Sequence, residues 1–261
     1  MAPSTREADA GAAGPLIAVA SGKGGVGKTW FAITLAHALA RRGERVLLFD
    51  GDLGLANVDI QLGLMPATDL GVWAAGGNLA DAITPADEFD VLAGRSGSGA
   101  LASLKRETLD RLARDLGALT DAYARVILDL GAGLEGPVPV LAQRADTVLV
   151  VTTDEPTALT DAYAFVKTMY ARRPGADLRI VVNLAGSARE GERTYATLER
   201  ACRQFLRTAP PLAGVIRRDH KVRDAIRAQQ TLLHRHPTSE AAADIEALAA
   251  RLAGAPARGK R

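Results

Sequence analysis

One cysteine and six lysines are all that a chain of 261 residues contains of those types. A lone thiol, Cys202, cannot close an internal disulfide, which excludes a secreted, disulfide-stapled scaffold and points to a reducing cytosol. Cys202 lies in a helix-like segment and reads as packing filler. No apolar run approaches the roughly 20 residues that a membrane-spanning helix needs. A leader peptide is also not expected. GAAGPLIAVAS (11–21) ends in a suitable small-residue site, but Arg6 is the one positive side chain before it, beside Glu7 and Asp9. No Pro/Ser-rich linker divides the chain and no fixed-period repeat runs through it. One domain over residues 15–253 is the expectation, with a loose tail at 1–14 and a short basic end at 254–261. Neither disorder nor a fibrous class fits a composition that is 48% apolar and 24% charged.

Net charge is only +2, yet it is unevenly spread. Residues 167–230 carry fourteen Lys/Arg against six Asp/Glu, a net of +8, so the remainder carries −6. That excess is either a solvated helix face or a patch that meets an acidic partner, lipid or nucleic acid.

What the chain does have is alternation. Short apolar runs at 16–20, 45–49, 89–94, 125–130, 147–152, 178–183 and 212–216 predict strands. Amphipathic stretches at 28–42, 105–120, 157–172, 191–207, 219–230 and 239–253 predict helices between most of them. Strands apolar on both faces suit a sheet covered on both sides. The fold class expected is α/β: a doubly wound, mainly parallel sheet flanked by helices.

The lysines are not spread evenly either. Two of the six, Lys23 and Lys28, fall in the single loop SGKGGVGKTW (21–30). Gly22, Gly27, Lys28 and Thr29 satisfy G-x-x-x-x-G-K-[ST], after a strand and at the start of a helix, which is the context a phosphate-binding loop requires. Glycines such as Gly22, Gly24, Gly25 and Gly27 let backbone amides, with that of Val26, turn inward around phosphate oxygens. The helix N-terminus adds positive charge at the same point. Lys28 is a compact charge able to reach β- and γ-phosphates, and the Thr29 hydroxyl can ligate Mg²⁺. A glycine-rich turn that binds nothing is the alternative, and the complete motif in its proper context argues against it.

Two acidic clusters follow. In FDGDLGLANVD (49–59), Asp50 ends a strand and Asp52 stands two residues on, placed for Mg²⁺ and water near a phosphate. A simple Asx turn is the alternative for either alone. In RVILDLGAG (125–133), Asp129 ends an apolar strand before a glycine loop, a Walker B-like arrangement beside Mg²⁺.

The form GKGGVGKT resembles the deviant Walker A motif of the MinD/ParA ATPases, and the likeness runs from about Leu16 to Leu252. DGDLGLANVDIQLGL (50–64), DEPTALTDAYAFVK (154–167), VVNLAGSAREGERTY (181–195) and VRDAIRAQQTLLHRHP (222–237) are similar to the flagellar-number regulators of the FlhG/FleN group. The resemblance implies a slow, Mg²⁺-dependent ATPase of the P-loop class that ATP bridges into a homodimer, Lys23 reaching the partner's ATP. It implies Asp52 as the residue that orients or deprotonates water, and Asp50 as a neighbour of the metal. Glu155, Asn183, Arg217 and Asp219 would border ribose and adenine. The partners implied are an FlhF-like GTPase, a flagellar switch-ring protein or a transcriptional regulator, in the cytoplasm or at the inner face of the membrane. Three departures from the family stand out. Trp30 replaces a small polar residue, Leu130 a Thr or Ser, and the N-terminal stretch lacks a DQAxGLR-like segment. A partition ATPase that binds DNA non-specifically, a MinD-type division-site ATPase and a nucleotide-binding adaptor without hydrolysis are the competing readings. In the last helix Ile245, Leu248 and Leu252 form a narrow apolar stripe, which either packs on the domain or gives weak membrane contact.

Overall fold

A computed structural model describes residues 15–53, 55–94 and 105–254. The expected tails at 1–14 and beyond Gly254 lie outside the described residues. In chain order the elements are β1 (Leu16–Ser21), α1 (Lys28–Ala40), β2 (Val46–Gly51), α2 (Val58–Leu62), α3 (Leu70–Ala74), β3 (Ile83–Pro85) and β4 (Asp90–Leu92). Then come α4 (Arg106–Ala118), β5 (Arg125–Ala132), α5 (Pro137–Ala142), β6 (Thr147–Thr152), α6 (Pro156–Arg172) and β7 (Asp177–Ala185). The chain closes with α7 (Ala188–Leu206), β8 (Leu212–Arg217), α8 (His220–Arg227), α9 (Leu232–Arg235) and α10 (Glu240–Ala253).

Among the described residues eight strands form one sheet in the order β3-β4-β2-β5-β1-β6-β7-β8, all parallel except β3, which runs antiparallel to β4 at the edge. Side-chain alternation splits each apolar strand between two layers. Leu16, Ala18 and Ala20 of β1 join Leu47 and Phe49 of β2 beneath α4 to α7. Ile17, Val19, Val46 and Leu48 face α1 and α10 on the other side. Both faces are covered, so the strands carry no polar stripe.

Helix α1 is apolar all round because it is covered all round. Every residue from Trp30 to Leu39 is buried, between the sheet and α10. The stripe of α10 packs inward: Ile245, Leu248 and Leu252 are all buried in that layer. The terminal helix therefore offers this stripe to the domain and not to a membrane. Leu130, next to Asp129 in β5, points into the opposite layer.

The chain reverses its direction of sheet-building at β1, which lies between β5 and β6. Ligands in open α/β sheets bind outside the carboxyl ends of the strands at such a point. The ends of β1, β2 and β5 meet there. Val19 and Asp50 are both register partners of Asp129, so two acids far apart in sequence become neighbours.

Candidate nucleotide site

Beyond Ser21 the chain turns through the glycine loop and enters α1. Gly25 and Gly27 have φ of 79° and 87°, the left-handed region that favours glycine. At Gly27 the requirement is double, because a Cβ there would stand 2.5 Å from Asn183 Nδ2. Asn183, at the end of β7, donates from Nδ2 to the Val26 carbonyl at 2.8 Å and so holds the loop from beneath. Gly22 is equally constrained, its missing Cβ falling on the Asp161 backbone.

The loop opens on a cavity of about 670 Å³. Gly24, Gly25, Gly27, Lys28, Thr29 and Trp30 line one wall; Gly51, Asp52, Leu53, Leu55, Asn57 and Gln61 line a second. Gly131, Ala132 and Glu135 close the third. Gly131 leaves room for Asp52, whose carboxylate lies 3.4 Å from where a Cβ would be. The three motifs read from the sequence thus converge. Glu135, Gln61 and Ile226 join them from segments in which no spacing signals a site.

The acids have unequal environments. Asp50 is buried and fully engaged. Its Oδ2 accepts from the amides of Asn57 (2.7 Å) and Val58 (2.8 Å), and its Oδ1 from that of Asp52 (3.3 Å). Burial lifts its pKa to about 6 against those three amides. It ties the Asp52 loop and the start of α2 to the sheet. Asp129 is buried with no hydrogen bond to either carboxylate oxygen. Burial first, then the charge of Asp50, raises its pKa to about 7; the nearby Thr29 hydroxyl and Lys28 ammonium pull the other way. Burial lowers the pKa of Lys28, opposed by Asp129 and then Asp52.

A buried carboxylate with two unused oxygens beside a threonine hydroxyl is a hard-oxygen donor set, and it fits Mg²⁺.

Other expected residues lie apart from the cavity walls. Lys23 Nζ donates to Glu155 Oε2 at 2.5 Å and to Thr157 Oγ1 at 2.7 Å, at the start of α6. The ammonium holds the Glu155 carboxyl below its ordinary pKa. Arg217 is bound by Asp244, with Nη2–Oδ1 at 2.8 Å, and by Glu240 at 2.6 Å, which fixes β8 to α10. Asp219 caps α8 by accepting from the Lys221 amide at 2.9 Å. Nor is the basic excess of 167–230 one free patch. Arg179, Arg203 and Arg217 each pair with a carboxylate nearby.

Residues 17–232 match the family model described as the CobQ/CobB/MinD/ParA nucleotide binding domain. The chain belongs to that family. Among curated relatives, the antiactivator FleN of Pseudomonas aeruginosa is 36% identical over 245 residues, spanning 90% of this chain and 84% of FleN. The flagellum site-determining protein YlxH of Helicobacter pylori is 32% identical over 185 residues, 70% of this chain and 62% of YlxH. Among solved structures, the septum site-determining protein MinD of Pyrococcus horikoshii, complexed with Mg-ADP, superposes with a TM-score of 0.75. It is 26% identical, with 90% of this chain and 93% of that one covered. The likeness to the FlhG/FleN group and to the doubly wound MinD fold read from the sequence therefore stands.

Proposed function

We propose that this protein is a slow, Mg²⁺-dependent ATPase that dimerises on binding ATP and controls flagellar number or placement through a nucleotide-dependent partner surface. Asp129 carries the reading. A structural acid at that depth would be bonded to donors of the fold, whereas this one keeps both oxygens free next to the P-loop threonine.

In this reading the amides of residues 22–27 cradle the phosphates and Lys28 balances charge at the β/γ bridge. Thr29 and Asp129 would hold Mg²⁺, which when bound supplies positive charge to the phosphate oxygens. Asp50 works through the loop it anchors, setting where Asp52 stands. Asp52, on the opposite wall, orients water toward the γ-phosphorus and takes its proton as the bond to the β-phosphate oxygen breaks. Asn183 Oδ1 is buried without a partner and can accept from an adenine amino group. Arg217 and Asp219 serve the base side by fixing the turn into α8. Lys23 leaves Glu155 and Thr157 to meet the triphosphate of a second copy, so that ATP becomes part of the dimer interface.

The relatives named for flagellar antiactivation and site determination support the process. The antiactivator favours a transcriptional regulator over an FlhF-like GTPase or a switch-ring protein as partner. The working place is the cytoplasm. Asp52→Ala with ATP and Mg²⁺ should sediment as a trapped dimer. A monomer under those conditions removes the mechanism.

A further inference from the structure

Four large apolar side chains among the described residues are strongly exposed, and three of them fall between residues 55 and 65. Leu55 lines the nucleotide cavity and belongs to that site. The other two, Ile60 at 60% exposure and Met65 at 95%, lie on α2 and the loop after it, with no cover. Isolated exposed aliphatics are ordinary, but neighbours beside a charged rim and a concavity mark an interaction site.

All three features meet here. Helix α2 packs on α8, and Gln229 Nε2 donates to the Ile60 carbonyl at 3.1 Å. On α8, Val222, Ala225 and Ile226 face the core, while Arg223 and Arg227 share one exposed flank at i, i+4 spacing. Asp224 is engaged by Arg235 and His236. Among the described residues, neither Arg223 nor Arg227 meets a carboxylate. Between α2 and the α8–α9 turn opens a cavity of about 320 Å³, with Leu62, Leu64 and Phe89 on its apolar side and Asp87, Gln230 and His234 on its polar side. At its wall the buried Thr231 hydroxyl has no partner.

We infer that this α2/α8 face docks an acidic amphipathic helix of a partner protein. Apolar residues of that helix cover Ile60 and Met65 and place one large side chain in the Leu62–Leu64–Phe89 cavity. Its carboxylates pair with Arg223 and Arg227. Arg223 and Arg227 on the α8 flank select the acidic partner, Asp87 keeps that partner's carboxylates out of the cavity so that an apolar side chain enters it, and the concavity selects protein. Duplex DNA would use the arginines but leave the aliphatics and the cavity unmatched. An anionic membrane offers no side chain to fill a cavity, and two arginines contribute only about 1 kcal/mol each at its surface. A buried anchor ringed by charge is instead how helix-in-groove recognition works. The surface rests on the switch reading only for its timing: Asp50 ties the amides of Asn57 and Val58, at the start of α2, to the strand end beside the phosphates.

The test is selection from a phage-displayed library of 18-residue helices, randomised for charge and apolar spacing, on the full chain with ADP and with ATP. Enriched clones should carry Asp/Glu beside an apolar stripe. Each should bind at least tenfold more weakly to Ile60→Ser/Met65→Ser and to Arg223→Glu/Arg227→Glu. Clones with Lys in place of the acids should recover binding to the Arg→Glu pair. All four positions are exposed, and unchanged thermal melting and fluorescent-ATP binding check that each variant is folded. Enrichment of basic clones, no enrichment, or equal binding to the variants overturns the inference. So does capture of a 30-bp duplex or of anionic vesicles that the Arg→Glu pair abolishes while no peptide binds. If the Asp52→Ala dimer fails to form but acidic clones still bind, the switch reading fails and the docking surface stands.

Discussion

Asp129→Asn should make the nucleotide-free protein more stable above neutral pH. The buried carboxylate has its pKa raised from 3.8 to about 7, so the folded state holds a proton that the unfolded chain releases. Between those limits the native state binds more protons, and stability falls as pH rises from about 4 to about 7, then levels. At ~1.4 kcal/mol per pH unit the native state is weaker by about 4 kcal/mol at pH 8 than it would be with a neutral group. Asparagine removes the charge and keeps the shape, but its amide inherits an unbonded site that costs about 1–3 kcal/mol. A net gain of roughly 1–3 kcal/mol is expected at pH 8, shrinking toward zero or reversing at pH 4. Asp50, raised to about 6, adds a pH dependence of the same sign in both proteins, and because its charge repels that of Asp129 the substitution also relieves this repulsion, in the same direction as the expected gain. Urea denaturation of wild type and variant at pH 4, 6 and 8, without nucleotide, reads the effect. Equal or lower stability of the variant at pH 8 would refute it, as would a wild-type midpoint that rises from pH 5 to 7.5.

Two more substitutions probe the loop. Gly27→Ala places a methyl group on Asn183 Nδ2 at φ 87°, so it should lower stability by about 1–3 kcal/mol and weaken ATP binding at least tenfold by fluorescence titration. Lys23→Ala removes a partly exposed contact to Glu155 and Thr157. Thermal melting and ADP affinity should stay near wild type, while ATP-dependent dimerisation measured by sedimentation is lost.

Much of the fold was legible because the relevant forces are local. Apolar runs too short for helices became β1, β2 and β4 to β8, and longer stretches became α1, α4, α6, α7 and α10 within three residues of their expected ends. What escaped was brief or borrowed. Helices α2, α3 and α5 span five or six residues, too few for a 3.6-residue period to show. Strand β3 is three residues ending in Pro85, tolerable only at a sheet edge. Helix α8 stops at Arg227, short of the expected 230. The chain reverses at Gln229, whose φ of 54° suits the turn that sends its side chain to Ile60.

The sequence alone determined the phosphate loop, because four glycines and two lysines at fixed spacing prescribe a backbone shape and a charge whatever surrounds them. It also determined the layered α/β class, because strands apolar on both faces need cover on both faces. Tertiary structure decided which acids matter and how. Asp50 and Asp129 look alike as strand-end aspartates, yet the first is saturated by three amides and the second keeps both oxygens free. That difference arises because parallel register sets the two side by side and the folded-back start of α2 brings its amides to only one of them.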